Sequence, residues 1–128
     1  MEQKVRSFED LIAWQKARAL TKAVYAVTGG EQLRRDFGLS SQIQRAAVSV
    51  MANIAEGFER KGTVEFARYL GIAKASCAEV TSHLYVALDV GYLDEATFST
   101  LRAQAQEVGR VVAGLRRSLD RGHQGSAE

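Results

Sequence analysis

Four segments of the chain show the hydrophobic spacing of amphipathic helices. In each segment, apolar residues recur three or four positions apart, the repeat that places side chains on one face of an α-helix. In chain order, the four apolar stripes are Phe8, Leu11, Ala17, Leu20, Val24 and Val27; Leu39, Ile43, Ala47, Val50, Ile54 and Phe58; Phe66, Leu70, Ala73, Cys77, Val80, Leu84 and Leu88; and Phe98, Leu101, Ala105, Val108, Val112, Leu115 and Leu119. Helical periodicity therefore dominates the sequence and predicts an all-α protein.

Capping residues and glycines separate the four segments by short turns. Ser7, Ser41, Thr63 and Asp94 are candidate N-caps of the successive helices, and Gly91 is placed to end the third. Helices joined by short turns pack as antiparallel neighbours. The chain is therefore expected to fold back on itself three times.

The stripes themselves test this arrangement, because facing residues of antiparallel helices have a constant sum of residue numbers. For facing residues of the third and fourth stripes, the sum is the same at every pair. For facing residues of the second and third stripes, it varies by no more than one. We predict an antiparallel up-down-up-down four-helix bundle. Residues 1–7 are predicted to form an N-terminal arm, residues 8–120 a single bundle domain, and residues 121–128 a frayed C-terminal tail.

The composition agrees with long helices and excludes several classes of protein. The 128 residues include 11 glycines and no proline, whereas average usage would give roughly six prolines, which break helix interiors. The single cysteine, Cys77, excludes an intramolecular disulfide framework and a cysteine-rich zinc site. The chain has no apolar run long enough for a membrane span and no signal-peptide core, so we expect a cytoplasmic protein without a membrane partner.

Several apolar residues lie outside the four stripes. On the third segment, Ile72, Val86 and Val90 belong to a second heptad beside the first. Two adjacent apolar seams indicate packing on two sides, once within the bundle and once against another subunit. The candidate subunit-interface residues are Ile12, Trp14, Ile72, Val86, Val90 and Val111. The alternative is a wide core stripe within one subunit.

A polar stripe crosses the otherwise apolar second segment. Arg45, Ser49, Asn53 and Glu56 are spaced to share one helix face, and antiparallel pairing would bring Arg45 to the level of Glu79. An Arg–Glu pair between these helices would fix their register at a desolvation cost. We interpret the five residues as a structural network that supports assembly, with a solvated face as the alternative.

The sequence contains no pattern typical of a catalytic or metal site. His83 follows Glu79 by four residues, whereas di-iron bundles use Glu-x-x-His on two helices together with two further glutamates. Cys77 falls on the core stripe and is interpreted as a small buried hydrophobic residue. We therefore predict no catalytic residues, no metal, no cofactor and no enzymatic activity.

Basic residues collect around the middle of the predicted bundle, although the net charge is only +2. Besides Arg45, this region contains six candidate nucleic-acid contacts, which we call the basic waist: Lys16, Arg18, Lys22, Lys74, Arg102 and Arg110. A ring of subunits would multiply such a patch and would favour binding of phosphate backbones. The alternative is an ordinary mixed surface in contact with solvent.

Residues 42–57, QIQRAAVSVMANIAEG, closely resemble the signature of the bacterial 23S ribosomal RNA intervening-sequence proteins. Shorter matches extend the resemblance from about Ser7 to Leu119. They are Phe8–Leu11, Trp14–Ala17, Phe37–Leu39, Glu65–Phe66, Tyr69–Leu70 and Gly91–Leu93. The sequence departs from the pattern at Ala75–Ser76, where Gly-Ser is common, and at Thr81, where a second glutamate is common.

The resemblance implies a small antiparallel bundle that assembles into a homopentamer and has no catalytic activity. The family is also similar in fold to the accessory variability proteins of diversity-generating retroelements, which bind a reverse transcriptase and nucleic acid. Our leading hypothesis is a non-enzymatic, ring-forming interaction protein that binds RNA, DNA or a nucleic-acid-processing protein such as a reverse transcriptase. The alternative is an oligomeric scaffold that binds only protein.

Overall fold

The computed structural model describes residues 4–127, with side chains described as far as residue 121. It confirms the all-α prediction, and no strand occurs in this part of the chain. The elements are a 3₁₀ helix at Phe8–Asp10 and five α-helices: α1 (Ile12–Thr28), α2 (Glu31–Arg35), α3 (Phe37–Glu59), α4 (Thr63–Asp89) and α5 (Glu95–Ala127). Four of the α-helices are long, as the four stripes predict.

The four long helices form a helical bundle in which each packs against two neighbours. The most extensive packing joins α3 to α4 and α4 to α5, and α1 lies against α3 and α5. Where α3 meets α4, Phe58 packs edge-on against Phe66 with ring centroids 6.0 Å apart, and Ser49 lies opposite Ser76. At these contacts, residue numbers rise along α4 as they fall along α3.

The core of the bundle is built from the predicted apolar stripes. Their central residues are buried, and those at the stripe ends are partly buried against the same cluster. The largest fully buried side chains are Leu20, Leu33, Ile43, Ile54, Leu70, Leu84, Val24, Val50, Val80, Val108 and Val112. Only Leu33 in this set lies outside the stripes. Local periodicity therefore predicted nearly all of the core.

The connection between the first two long helices differs from the sequence prediction. It contains the short helix α2, whose Leu33 is almost fully buried and fixes this segment against the bundle. Helix α3 then begins at Phe37, and a side-chain oxygen of Asp36 accepts a hydrogen bond from the backbone N–H of Leu39 at 3.1 Å. The prediction of Ser41 as the N-cap is therefore wrong, because Asp36 satisfies the helix terminus one turn earlier.

The remaining helix ends lie at the predicted turns, although the N-cap of α4 is Gly62 and Thr63, the predicted N-cap, is its first helical residue. Ser7 caps the 3₁₀ helix, and α1 starts after Leu11. Gly62 and Gly91 adopt positive φ angles of 105° and 83°, which favour glycine in tight turns. Asp94 caps α5 by accepting a hydrogen bond from the backbone N–H of Thr97 at 2.7 Å. Both bonds that Asp94 accepts from Thr97 lower the pKa of its carboxyl group.

The division into an arm, a bundle domain and a tail stays a prediction. Residues 1–3 and 128 lie outside the described residues, and α5 continues to Ala127, past the predicted boundary at residue 120. Among the helices that the structure describes, none has both the length and the hydropathy needed to cross a membrane.

Candidate functional site

A concave surface with a positively charged lining lies between α4 and α5. Its volume is about 570 Å³, within the roughly 300–1,000 Å³ of small-ligand sites. The residues that line this α4–α5 groove are Lys74, Cys77, Ala78, Thr81, Ala105, Gln106, Gly109, Arg110, Ala113 and Arg117. Three of them are cationic, and no carboxylate is among them.

Helix geometry explains why small side chains form the floor of the groove and polar side chains form its rim. Positions three, four and seven apart share a helix flank, so Lys74, Ala78 and Thr81 of α4 face the same way. On α5, Arg110 and Arg117 flank Ala113 in the same manner. Small side chains at the centre leave space between the helices. Their backbones still pack, because a Cβ atom on Gly109 would lie an ordinary 3.9 Å from the Cβ of Cys77.

The three cations of the groove have no ion-pair partner within 4 Å among the described residues. The ion pairs that involve arginine or lysine lie elsewhere: Lys16–Glu107, Arg35–Glu31, Arg60–Glu56 and Arg68–Glu65. Lys74, Arg110 and Arg117 are exposed at the rim. Their positive charges are therefore available to an anionic ligand.

Two further arginines extend the positive flank beyond the groove. The guanidinium of Arg102 lies over the ring of Tyr85, 5.8 Å from its centroid, and each residue is one turn beyond a groove-lining residue on its own helix. At the opposite end, the guanidinium of Arg116 lies across α4, where Nη1 would be 3.0 Å from a Cβ atom on Gly71. The cationic flank therefore runs along α5 from Arg102 to Arg117.

The floor of the groove contains the only cysteine of the chain. Cys77 is buried, and burial raises the pKa of its thiol to about 11 because the charged thiolate would lose its hydration. The thiol is therefore protonated at neutral pH, and it is a poor nucleophile in this form. Its position agrees with the interpretation of Cys77 as a small core residue.

The structure divides the basic waist between two parts of the surface. Lys74 and Arg110 line the α4–α5 groove, and Arg102 lies on the same flank one turn away. Lys16 instead donates a hydrogen bond to the carboxylate of Glu107 at 2.8 Å, and this bond lowers the pKa of Glu107. The other two waist residues also lie on α1: Arg18 over the ring of Trp14, and Lys22 exposed.

Sequence reasoning missed Arg117 as a member of this site. It is not among the six residues of the basic waist, but it follows Arg110 by two helical turns and lines the same groove. The seven-residue spacing of Arg110 and Arg117 was a signal that could have found it. Thr81 and Gln106, which add a hydroxyl and an amide to the lining, carried no such signal.

The predicted polar network exists only in part. The hydroxyls of Ser49 and the buried Ser76 lie 2.9 Å apart across α3 and α4, and the amide of Asn53 donates to the backbone carbonyl and hydroxyl oxygens of Ser49. Arg45 and Glu79 form no ion pair within 4 Å in the described part of the chain. Both side chains are exposed and keep their hydration, while the small serines occupy the contact between the helices.

The two glutamates of the predicted network lie beside basic residues of their own helices. Glu56 accepts a hydrogen bond from Arg60 at 2.9 Å, and Glu79 lies 3.9 Å from His83. These exposed pairs contribute little to the stability of the bundle. The bond between the serines therefore carries the interhelical part of the network.

The six candidate interface residues fall into two groups. Trp14 and Val111 are partly buried against the core, as the wide-stripe alternative expects. Ile12, Ile72, Val86 and Val90 are exposed large hydrophobic residues, with Ile12 at 62% and Val90 at 55%. Ile72 and Val86 of α4 and Val90 directly after its end are exposed on one side of the helix, and we call these three residues the outer seam.

Comparison with known proteins gives one family and one fold. The family model of the 23S rRNA-intervening sequence protein matches residues 9–114. A crystal structure of a protein with unknown function, from the S23 ribosomal protein family of Bacteroides thetaiotaomicron VPI-5482, superposes with a TM-score of 0.76 at 20% sequence identity. The match covers 82% of this chain and 98% of that chain. No curated protein matches the sequence.

Proposed function

Because the chain belongs to the 23S rRNA-intervening sequence protein family, we propose that it is a non-enzymatic, ring-forming interaction protein that binds nucleic acid. The observation that carries this proposal is the α4–α5 groove, which Lys74, Arg110 and Arg117 line without a carboxylate and without an ion-pair partner within 4 Å among the described residues. Exposed lysines and arginines bind phosphate groups and release counterions from the nucleic-acid backbone. The name of the family, which refers to an intervening sequence of 23S rRNA, is consistent with an RNA ligand.

The outer seam of α4 supports assembly into a ring, for which we propose a homopentamer. Ile72, Val86 and Val90 are exposed on one side of α4 and at its C-terminal end, and exposed apolar residues that share one side mark protein interfaces. At about 100° per residue, these positions lie roughly 120–160° around α4 from Lys74. Subunits that pack through the outer seam therefore leave the α4–α5 groove accessible to a ligand.

Assembly predicts a native mass of five times the monomer mass of 14.0 kDa. The double variant Ile72→Glu/Val86→Glu is expected to release monomers with unchanged helicity, because buried unpaired carboxylates at an interface are costly. Light scattering and circular dichroism measure both quantities. A matched control, Ala19→Glu, places a carboxylate on the exposed face of α1 and should keep the mass of the native assembly. A stable native monomer at micromolar concentration would contradict the proposed ring.

Nucleic-acid binding predicts a strong effect of charge reversal in the groove. The variant Lys74→Glu/Arg110→Glu/Arg117→Glu is expected to bind RNA at least about a hundredfold more weakly, since each charged hydrogen bond is worth roughly 1.5–3 kcal/mol. The slope of log affinity on log salt should also become shallower by about 0.7 for each lost contact with a single strand. Fluorescence anisotropy at several salt concentrations measures both.

The control variant for charge reversal is Arg18→Glu/Lys22→Glu/Arg34→Glu, which has the same net charge but leaves the groove intact. It should retain most of the affinity. Equal losses in the two variants would mean that net charge, and not the groove, controls binding. A protein that forms the ring but binds neither single-stranded nor duplex RNA at low salt would be a scaffold that binds only protein.

A further inference from the structure

The α4–α5 groove combines two surfaces that differ in chemistry. Its rim presents Lys74, Arg110 and Arg117, and its floor consists of small apolar side chains. The residues of the floor are Cys77, Ala78, Ala105, Gly109 and Ala113. A ligand that fills the groove must therefore offer negative charge at the rim and a flat, weakly polar group to the floor.

The phosphates of a duplex can reach the rim, but its bases cannot reach the floor. In a duplex the bases are stacked and paired between the two backbones, and only their edges are presented in the grooves. In a single strand the bases are free to turn away from the backbone and lie against protein surfaces. The floor is therefore accessible only to the bases of a single strand.

The Arg102 end of the cationic flank offers a surface for a further base. The guanidinium of Arg102 lies over the ring of Tyr85, which is 41% exposed. Unpaired bases stack on aromatic rings and on guanidinium planes. From Arg102 to Arg117, helix α5 rises about 22 Å at 1.5 Å per residue, which is long enough for several nucleotides.

We propose that the α4–α5 groove binds single-stranded nucleic acid, with the backbone along Lys74, Arg110 and Arg117 and the bases against the small-residue floor. This inference rests on the proposed function and specifies its ligand. The shared chemistry of single-stranded RNA and DNA is an anionic backbone with unpaired bases. Both should therefore bind the groove more tightly than the duplex of the same sequence, which contacts only the rim.

The test compares oligonucleotides of about 12 nucleotides, within the site sizes of single-strand-binding grooves. The probes are one RNA strand, the DNA strand of the same sequence, the RNA duplex and an abasic DNA strand. Anisotropy at fixed salt is expected to give at least about tenfold tighter binding of a single strand than of the duplex or abasic strand, the effect of one stacked base.

A variant that fills the floor separates base contacts from phosphate contacts. Ala78 is an exposed helical residue in the lining, so Ala78→Leu occupies the groove and retains all three rim cations. It is expected to weaken single-strand binding about tenfold and to leave duplex binding unchanged. Ala19→Leu makes the same substitution on the exposed face of α1 and should change neither affinity.

Two sets of results would overturn the inference. Duplex binding as tight as that of both single strands, or abasic binding as tight as that of the DNA strand, would show that the groove recognises phosphate alone. Full single-strand affinity in Ala78→Leu would place the bases elsewhere. In each case, the proposed function would still hold if charge reversal at the rim weakened binding. Failure of every probe to bind would reject both proposals.

Discussion

Replacing Leu70 by alanine is expected to lower the free energy of unfolding by about 2–5 kcal/mol. Leu70 is fully buried on α4 within the core cluster. Removal of its branched end forfeits the transfer of apolar surface from water and leaves a cavity that the helices can fill only in part. Denaturant unfolding at one fixed protein concentration measures the change, because oligomers gain apparent stability with concentration.

The matched control for Leu70→Ala is Val64→Ala on the same helix. Val64 is 67% exposed, and surface substitutions usually change stability by less than about 0.5 kcal/mol. A similar loss of stability in both variants would contradict the burial of Leu70 in the core. A changed dependence of the free energy on denaturant concentration would indicate that the unfolded or native state has changed instead.

Replacing Gly57 by alanine is expected to destabilise the protein, although alanine is the better helix former. A Cβ atom on Gly57 would lie 2.7 Å from the Cβ of Tyr69 and 3.0 Å from Cδ1 of Phe66. Because the Cβ of Tyr69 is fixed to the backbone, α3 and α4 must separate. Overpacking costs about 1–3 kcal/mol, which exceeds the gain in helix propensity of about 0.5–1 kcal/mol.

Gly71→Ala is the matched control for this close approach. A Cβ atom there would meet Nη1 of Arg116 at 3.0 Å, but the flexible end of that side chain can move aside. The gain in helix propensity should then leave Gly71→Ala unchanged or more stable by up to about 1 kcal/mol. Denaturant unfolding should therefore show a lower free energy of unfolding for Gly57→Ala and no loss for Gly71→Ala. A stabilised Gly57→Ala would show that α3 and α4 separate without cost.

The helices and most of the core could be predicted because their signal is local in the sequence. The burial of Ile43, Val50 and Ile54 follows from their spacing alone, since a helix exposes one face to the core wherever it packs. Leu33 is different. It is a single apolar residue in a segment of five residues, too short to show a period, and only its contact with the bundle explains its burial.

The candidate site could be predicted only in part, because it requires knowledge of which helix flanks meet. Lys74 and Arg110 were expected among six basic residues, and they face each other across one groove. Lys16 belonged to the same set, but it lies beside Glu107, with which it forms an ion pair. Residues that are 91 positions apart show no relationship in the sequence.

The sequence by itself determined the four long helices and the identity of their core faces. These properties depend on interactions between residues a few positions apart, and the local pattern of apolar and polar residues therefore predicts them. The tertiary structure decided which cations remain unpaired, how closely α3 and α4 approach at Gly57, and that a groove opens between α4 and α5. Those properties depend on side chains from different helices, whose relative placement is set only when the bundle packs.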